Sequence, residues 1–113
     1  MPQQNINRDA APAAVVEAVA ELGRNISTAR VRRKMRQDDL AVKSGITRNT
    51  LRRVEAGALG TGIGAYVAVL WALGLHDQLA SVASPDLDLE GKTLEAARRG
   101  ERVRVGQELS DDF

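Results

Sequence analysis

Residues 35–57 read MRQDDLAVKSGITRNTLRRVEAG, and this stretch decides the fold. It describes two short helices joined by a tight turn. Gln37 opens the first, and Leu40 and Ala41 supply its apolar side. Ser44-Gly45-Ile46 forms the turn, with Gly45 where a helix end calls for a left-handed residue. Thr47 is a good N-cap for the second helix. Leu51 and Val54, three apart, give that helix one apolar side, while Arg48, Asn49, Arg52 and Arg53 point elsewhere. A short helix with an apolar back and a front of Arg and Asn suits the DNA major groove, where Arg reads guanine and Asn reads adenine.

Charge is distributed to match. The net charge is only +1. Between Arg24 and Arg53, however, ten basic residues stand against two acids, Asp38 and Asp39, a local balance of +8. From Val54 to Gly91 there are five acids and no Lys or Arg, a balance of −5. A chain polarised in this way presents one basic face, the electrostatic footprint of a duplex-binding module.

Composition narrows the remaining classes. A chain of 113 residues predicts one small domain with tails. Only three residues are aromatic, so the core must be Leu, Val, Ile and Ala, which favours packed helices. With no cysteine there are no disulfides, thiol nucleophiles or Cys-bound zinc. His76 is the single histidine, too little for metal or triad chemistry. The four glycines from Gly57 to Gly64 follow no strand and lead to no Gly-Lys-Ser/Thr, so they make no phosphate loop. Asp86, Asp88 and Glu90 mimic the start of a calcium loop, but Ala97 stands at the twelfth position, where Glu is required. We therefore expect no enzyme, no catalytic residue, no metal and no cofactor. No apolar run approaches transmembrane length and MPQQNINRDAAP does not read as a signal peptide, so a cytoplasmic protein without membrane association is expected.

Along the rest of the chain, residues 1–11 read as a loose polar tip. Pro12 can start a helix, and an apolar stripe of Val15, Val16, Ala18, Val19 and Leu22 follows. Gly23 interrupts it, which leaves one long helix or two abutting ones. Ile63 to Leu73 carries apolar residues at helical spacing up to Gly74. His76 to Ala83 reads as a short fifth helix and SPDLDLEG as an acidic linker. Thr93 to Arg99 reads as a further short helix, with its start at Thr93 or a few residues earlier. Residues 101–105, ERVRV, alternate as a strand does, and a lone strand would pair with its own copy in a dimer. The last eight residues, GQELSDDF, read as a loose acidic tail. Trp71 and Tyr66 on the apolar helix fit core or dimer contact better than a base-stacking platform. Trp71, Leu75, Leu79 and Val82, with Val103 and Val105 of the strand, form the candidate dimer interface.

Residues 22–74 resemble the Xre-type helix-turn-helix family, related to phage repressors and Cro. The match is carried by RQDDLA and SGITRNTLRRVEAG, with the Gln, Leu-Ala, turn Gly, Ile-Thr and closing Glu-x-Gly at family spacing. Arg36 departs from the family, which usually has a small polar residue there. The resemblance implies an all-α, five-helix lambda-repressor-like domain over residues 22–83. An N-terminal extension (1–21) would precede it, and a C-terminal arm (84–113) would serve dimer or partner binding. It also implies roles. Arg48, Asn49 and Arg53 match base-contacting positions. Arg36, Gln37, Thr47 and Thr61 match backbone-contacting ones, and Arg52 points towards phosphate or solvent. Arg30 and Glu55 match a buried ion pair between the first and third helices. The second half, GTGIGAYVAVLWALGL, HDQLASVASPD, EAARR and RVR, is similar to HipB-like antitoxins. Those are dimers that bind operator DNA and hold a HipA-type kinase toxin. The expected function is a sequence-specific repressor, the autoregulating antitoxin of such a pair. The alternative is a stand-alone phage- or plasmid-type repressor with no toxin.

Overall fold

The computed structural model describes residues 10–111, and all their regular structure is helical. In order these are α1 (Ala13–Arg32), α2 (Gln37–Ser44), α3 (Arg48–Glu55), α4 (Ile63–Ala72), a 3-10 helix (His76–Ser81) and α5 (Leu89–Asp111). The all-α class follows from the aromatic-poor, Leu/Val/Ala-rich composition. The expectation of a loose tip falls, up to Asp9, outside the described residues. The chain divides into two compact units, one up to Asp77 and one from Gln78.

In the first unit α3 packs against α1, α2 and α4. Its two apolar residues, Leu51 and Val54, are fully buried with Ile26, Leu40 and Val69 from the other three helices. Each such side chain contributes roughly 1.5–3 kcal/mol by leaving water. α1 is one unbroken helix running through residues 21–23. Gly23 does not interrupt it; it allows close approach. A Cβ there would stand 2.7 Å from the carbonyl oxygens of both Val54 and Glu55 and 2.8 Å from the Gly57 nitrogen. From the other side, a Cβ on Gly57 would lie 2.5 Å from the Ala20 Cα. The end of α3 therefore rests on the α1 backbone, and only glycine fits at either point of contact.

All four helices of this unit close in the same way. A residue with positive φ follows the helix: Lys34 (56°), Gly45 (73°), Gly57 (70°) and Gly74 (78°). An apolar residue comes next, Met35, Ile46, Ala58 or Leu75. Its N–H donates to the carbonyl of Arg30, Ala41, Arg53 or Leu70 respectively, at 2.8–3.2 Å. This pattern satisfies carbonyls that a helix end would otherwise leave unpaired. Lys34 is the exception in chemistry, since a side chain in the left-handed region costs about 1–2 kcal/mol that glycine avoids.

Beyond Leu75 the structure departs from the sequence expectation in two places, residues 101–105 and the C-terminal tail. The short helix expected after Leu75 is present as a 3-10 helix over His76–Ser81, two residues shorter than the expected span to Ala83. Of the two starts left open for the last helix the earlier is found: α5 begins at Leu89, four residues before Thr93, because Asp88 caps it, the Gly91 N–H donating to Asp88 Oδ1 at 3.0 Å. Residues 101–105 are helical, and no strand occurs among the described residues. A strand needs a partner for its backbone ladder, whereas a helix bonds within itself, so alternation of Val103 and Val105 with Arg could not decide the matter alone. Glu95 and Arg99 add an i,i+4 pair at 3.9 Å. The helix continues through the stretch expected to be loose, as far as Asp111. From Leu89 to Gln107 none of its residues is buried.

Candidate nucleic-acid interface

The turn between α2 and α3 fixes where the polar front of α3 points. Gly45 supplies the left-handed residue that ends α2. Thr47 caps α3: its Oγ1 accepts the Thr50 N–H at 3.1 Å and lies 2.9 Å from the Thr50 hydroxyl. Burial of Leu51 and Val54 then sets the rotation of the helix. Thr47, Arg48, Asn49, Arg52 and Arg53 are all left exposed. The side chains of Asn49, Arg52 and Arg53 make no hydrogen bond or ion pair among the described residues. Three unsatisfied polar side chains on one short helix are available to an external ligand.

The arginine at the start of α3 is different. Arg48 Nε lies 3.3 Å from Asp38 Oδ1 on the first turn of α2, with both side chains about half exposed (53% and 55%). The other acid of this region is consumed locally. Asp39 Oδ2 accepts the Arg36 N–H at 3.2 Å, half of a capping box that closes the start of α2. This explains how Arg36 stands at an N-cap position where a small polar residue is usual. Its own side chain is exposed and has no ion-pair partner among the described residues.

Behind this surface lies a polar network. Arg30 Nε donates to Glu55 Oε1 at 2.9 Å, and Arg30 Nη1 donates to the Met35 carbonyl at 2.9 Å. Gln37 Nε2 donates to Glu55 Oε2 at 3.0 Å. The Arg30 and Glu55 side chains are only 15% and 7% exposed. Glu55 thus joins the end of α1, the start of α2 and the end of α3 at one carboxylate. One amide N–H of Gln37 is spent on this network.

Of the ten basic residues from Arg24 to Arg53, three are ion-paired among the described residues: Arg24 with Glu17, Arg30 with Glu55 and Arg48 with Asp38. The rest keep their charge for the surrounding field. Arg32, Arg33, Lys34 and Arg36 cluster at the α1–α2 junction, where Arg33 also donates to the Ala29 carbonyl at 3.0 Å. Thr61 is half-buried in the loop before Gly62, the N-cap of α4. That loop is tied to α4 by Tyr66, whose hydroxyl donates to the Ala58 carbonyl at 2.7 Å. Burial pushes the Tyr66 phenol above its ordinary value of 10.

The residues named for a dimer interface divide between the two units. Trp71, 57% exposed, and the half-buried Leu75 lie in the first. Leu79, Val82, Val103 and Val105 lie in the second. Among the described residues no cluster of His, Cys, Asp or Glu could hold a metal ion. None of their helices is long and apolar enough to cross a membrane.

The comparison with known families agrees with the geometry. Residues 26–72 match the helix-turn-helix family model, a span that runs from buried Ile26 on α1 to buried Ala72 at the end of α4. Over these residues the chain is similar to the helix-turn-helix family. No curated protein and no solved structure matches the chain.

Proposed function

We propose that this protein is a sequence-specific, duplex-DNA-binding repressor whose α3 enters the major groove. The observation that carries this reading is the exposed row Arg48, Asn49 and Arg53 on a helix held by Leu51, Val54 and the Thr47 cap. Arg48, Asn49 and Arg53 contact base edges. Arg36, Gln37, Thr47, Arg52 and Thr61 contact the sugar–phosphate backbone, and the Arg32–Arg36 cluster adds non-specific attraction. The protein acts as a homodimer through apolar surface that includes Trp71. Two copies would read half-sites about one helical turn apart.

Within that function, the finer role is that of an autoregulating antitoxin for a HipA-like kinase. Its support is the likeness of the second half to HipB-like regulators. α5 adds to it, since residues 92–104 carry five basic residues against two acids and nothing buries them. The alternative role, a stand-alone repressor, shares every DNA-binding residue.

The test is fluorescence anisotropy with the DNA upstream of the protein's own gene against a scrambled duplex, at two salt concentrations. A preference of about three orders of magnitude or more, with both affinities falling in salt, is expected of a specific repressor. Equal affinity for both duplexes would remove the autoregulatory reading. Co-purification with the product of a neighbouring gene separates the antitoxin from the stand-alone repressor.

A further inference from the structure

The stretch from Arg24 to Arg53 contains only two acids. A carboxylate on a surface that meets phosphates is repelled by them, so each acid there needs a compensating task. Asp39 has one, as it caps α2 through the Arg36 N–H. Asp38 has no hydrogen bond among the described residues, and its one ionic partner is Arg48, ten residues away across the turn. The carboxylate sits 3.3 Å from Nε, the stem nitrogen of the guanidinium. A guanidinium held at Nε keeps its two terminal nitrogens for a bidentate contact, the form in which Arg reads the O6 and N7 of guanine.

We propose that Asp38 is a specificity-determining positioning residue: it holds Arg48 at Nε so that the terminal edge of the guanidinium is presented to one base pair. This rests on the base-reading role of Arg48 above. An unheld arginine on the first turn of an exposed helix has many rotamers, and several of them reach the phosphate backbone instead of a base. Asp38 disfavours those rotamers by attracting Nε, while its own repulsion by phosphates is the same on every sequence and offsets any gain in overall affinity. Its effect therefore falls on discrimination more than on affinity. A carboxylate serving only the α2 dipole would change stability and leave base preference alone.

The experiment uses the full chain and the tightest duplex selected from a random-sequence library, with single-base-pair variants of that duplex and a random duplex as competitors. Wild type, Asp38→Asn, Arg48→Ala and the double variant are compared, with thermal melting to confirm that each is folded. Arg48→Ala should flatten preference at one base pair by about 5- to 100-fold. Asp38→Asn should lower preference at that same base pair by about 2- to 5-fold, the range an exposed ion pair can supply. Its affinity for the random duplex should hold or rise. The double variant should match Arg48→Ala at that position. Equal changes in selected and random affinity for Asp38→Asn, with single-base preference intact, would overturn the assignment of Asp38 while leaving Arg48 as a reader. Unchanged preference in Arg48→Ala would instead remove the base-reading role and the positioning role with it.

Discussion

Removing Arg30 should be the most damaging single polar substitution in the helix-turn-helix unit. The Glu55 carboxylate is 7% exposed and is met by two donors, Arg30 Nε at 2.9 Å and Gln37 Nε2 at 3.0 Å. Arg30→Met keeps the apolar stem and deletes the charge. It leaves a buried carboxylate with one neutral amide and removes the donor to the Met35 carbonyl. Breaking a buried pair in this way costs about 3–5 kcal/mol. A small domain has only about 5–15 kcal/mol in total, so the fall in Tm should be about 15 °C or more. The informative comparison is the double variant Arg30→Met/Glu55→Gln. It removes both charges together and lets the two amides at positions 37 and 55 bond to one another. It should be more stable than Arg30→Met alone by about 2 kcal/mol, because the stranded charge has gone. Urea denaturation of wild type, both single variants and the double variant gives the coupling directly. A cost below about 1 kcal/mol for Arg30→Met, with no coupling to position 55, would place the pair among solvent-screened surface bridges. The buried-network reasoning would then be wrong.

Three further outcomes follow from the packing and the helix ends. Gly23→Ala should destabilise by about 1–2 kcal/mol despite alanine's better helix propensity, because its methyl meets backbone oxygens of Val54 and Glu55 at 2.7 Å; a raised Tm would show that α1 and α3 can separate freely. Lys34→Gly should stabilise by about 1 kcal/mol, since Lys34 holds φ 56°, and should weaken binding to all duplexes alike through loss of one cation; melting and anisotropy together check both signs. Tyr66 has its phenol pKa raised in the folded state by burial. Its contribution to stability is therefore complete below about pH 10 and is lost as pH climbs through the raised value. Tyr66→Phe should flatten the alkaline limb of the stability–pH curve, and an identical limb in both proteins would contradict that origin.

The parts of this fold that were legible in the sequence are those set by local chemistry. Gly45 and Thr47 mark the turn because a left-handed residue and an N-cap have narrow residue preferences. Leu51 and Val54 orient α3 because no other apolar residue competes on that helix. The illegible parts depend on partners distant in the chain or on near-balanced alternatives. At Gly23 the sequence leaves one long helix or two abutting ones open, because the reason for the glycine, the carbonyls of Val54 and Glu55, lies some thirty residues away. The end of α1 carries no glycine signal, because Lys34 takes the left-handed position there. Residues 101–105 could be read as a strand because Val103 and Val105 suit either period. Arg30 and Glu55 are separated by 25 positions, and only likeness to a family put the two side by side. The pairing of Asp38 with Arg48 left no signal, since an Asp on one helix and an Arg on the next are common on any charged surface.

The most direct test of the central claim is selection from a random-sequence duplex library with wild type and with Arg48→Ala, Asn49→Ala and Arg53→Ala in parallel. If α3 reads the major groove, wild type enriches a defined motif with two related half-sites, and each variant loses preference at its own position while keeping the others. Enrichment of no motif by wild type, or of the same motif by all four proteins, would show that α3 does not read the duplex.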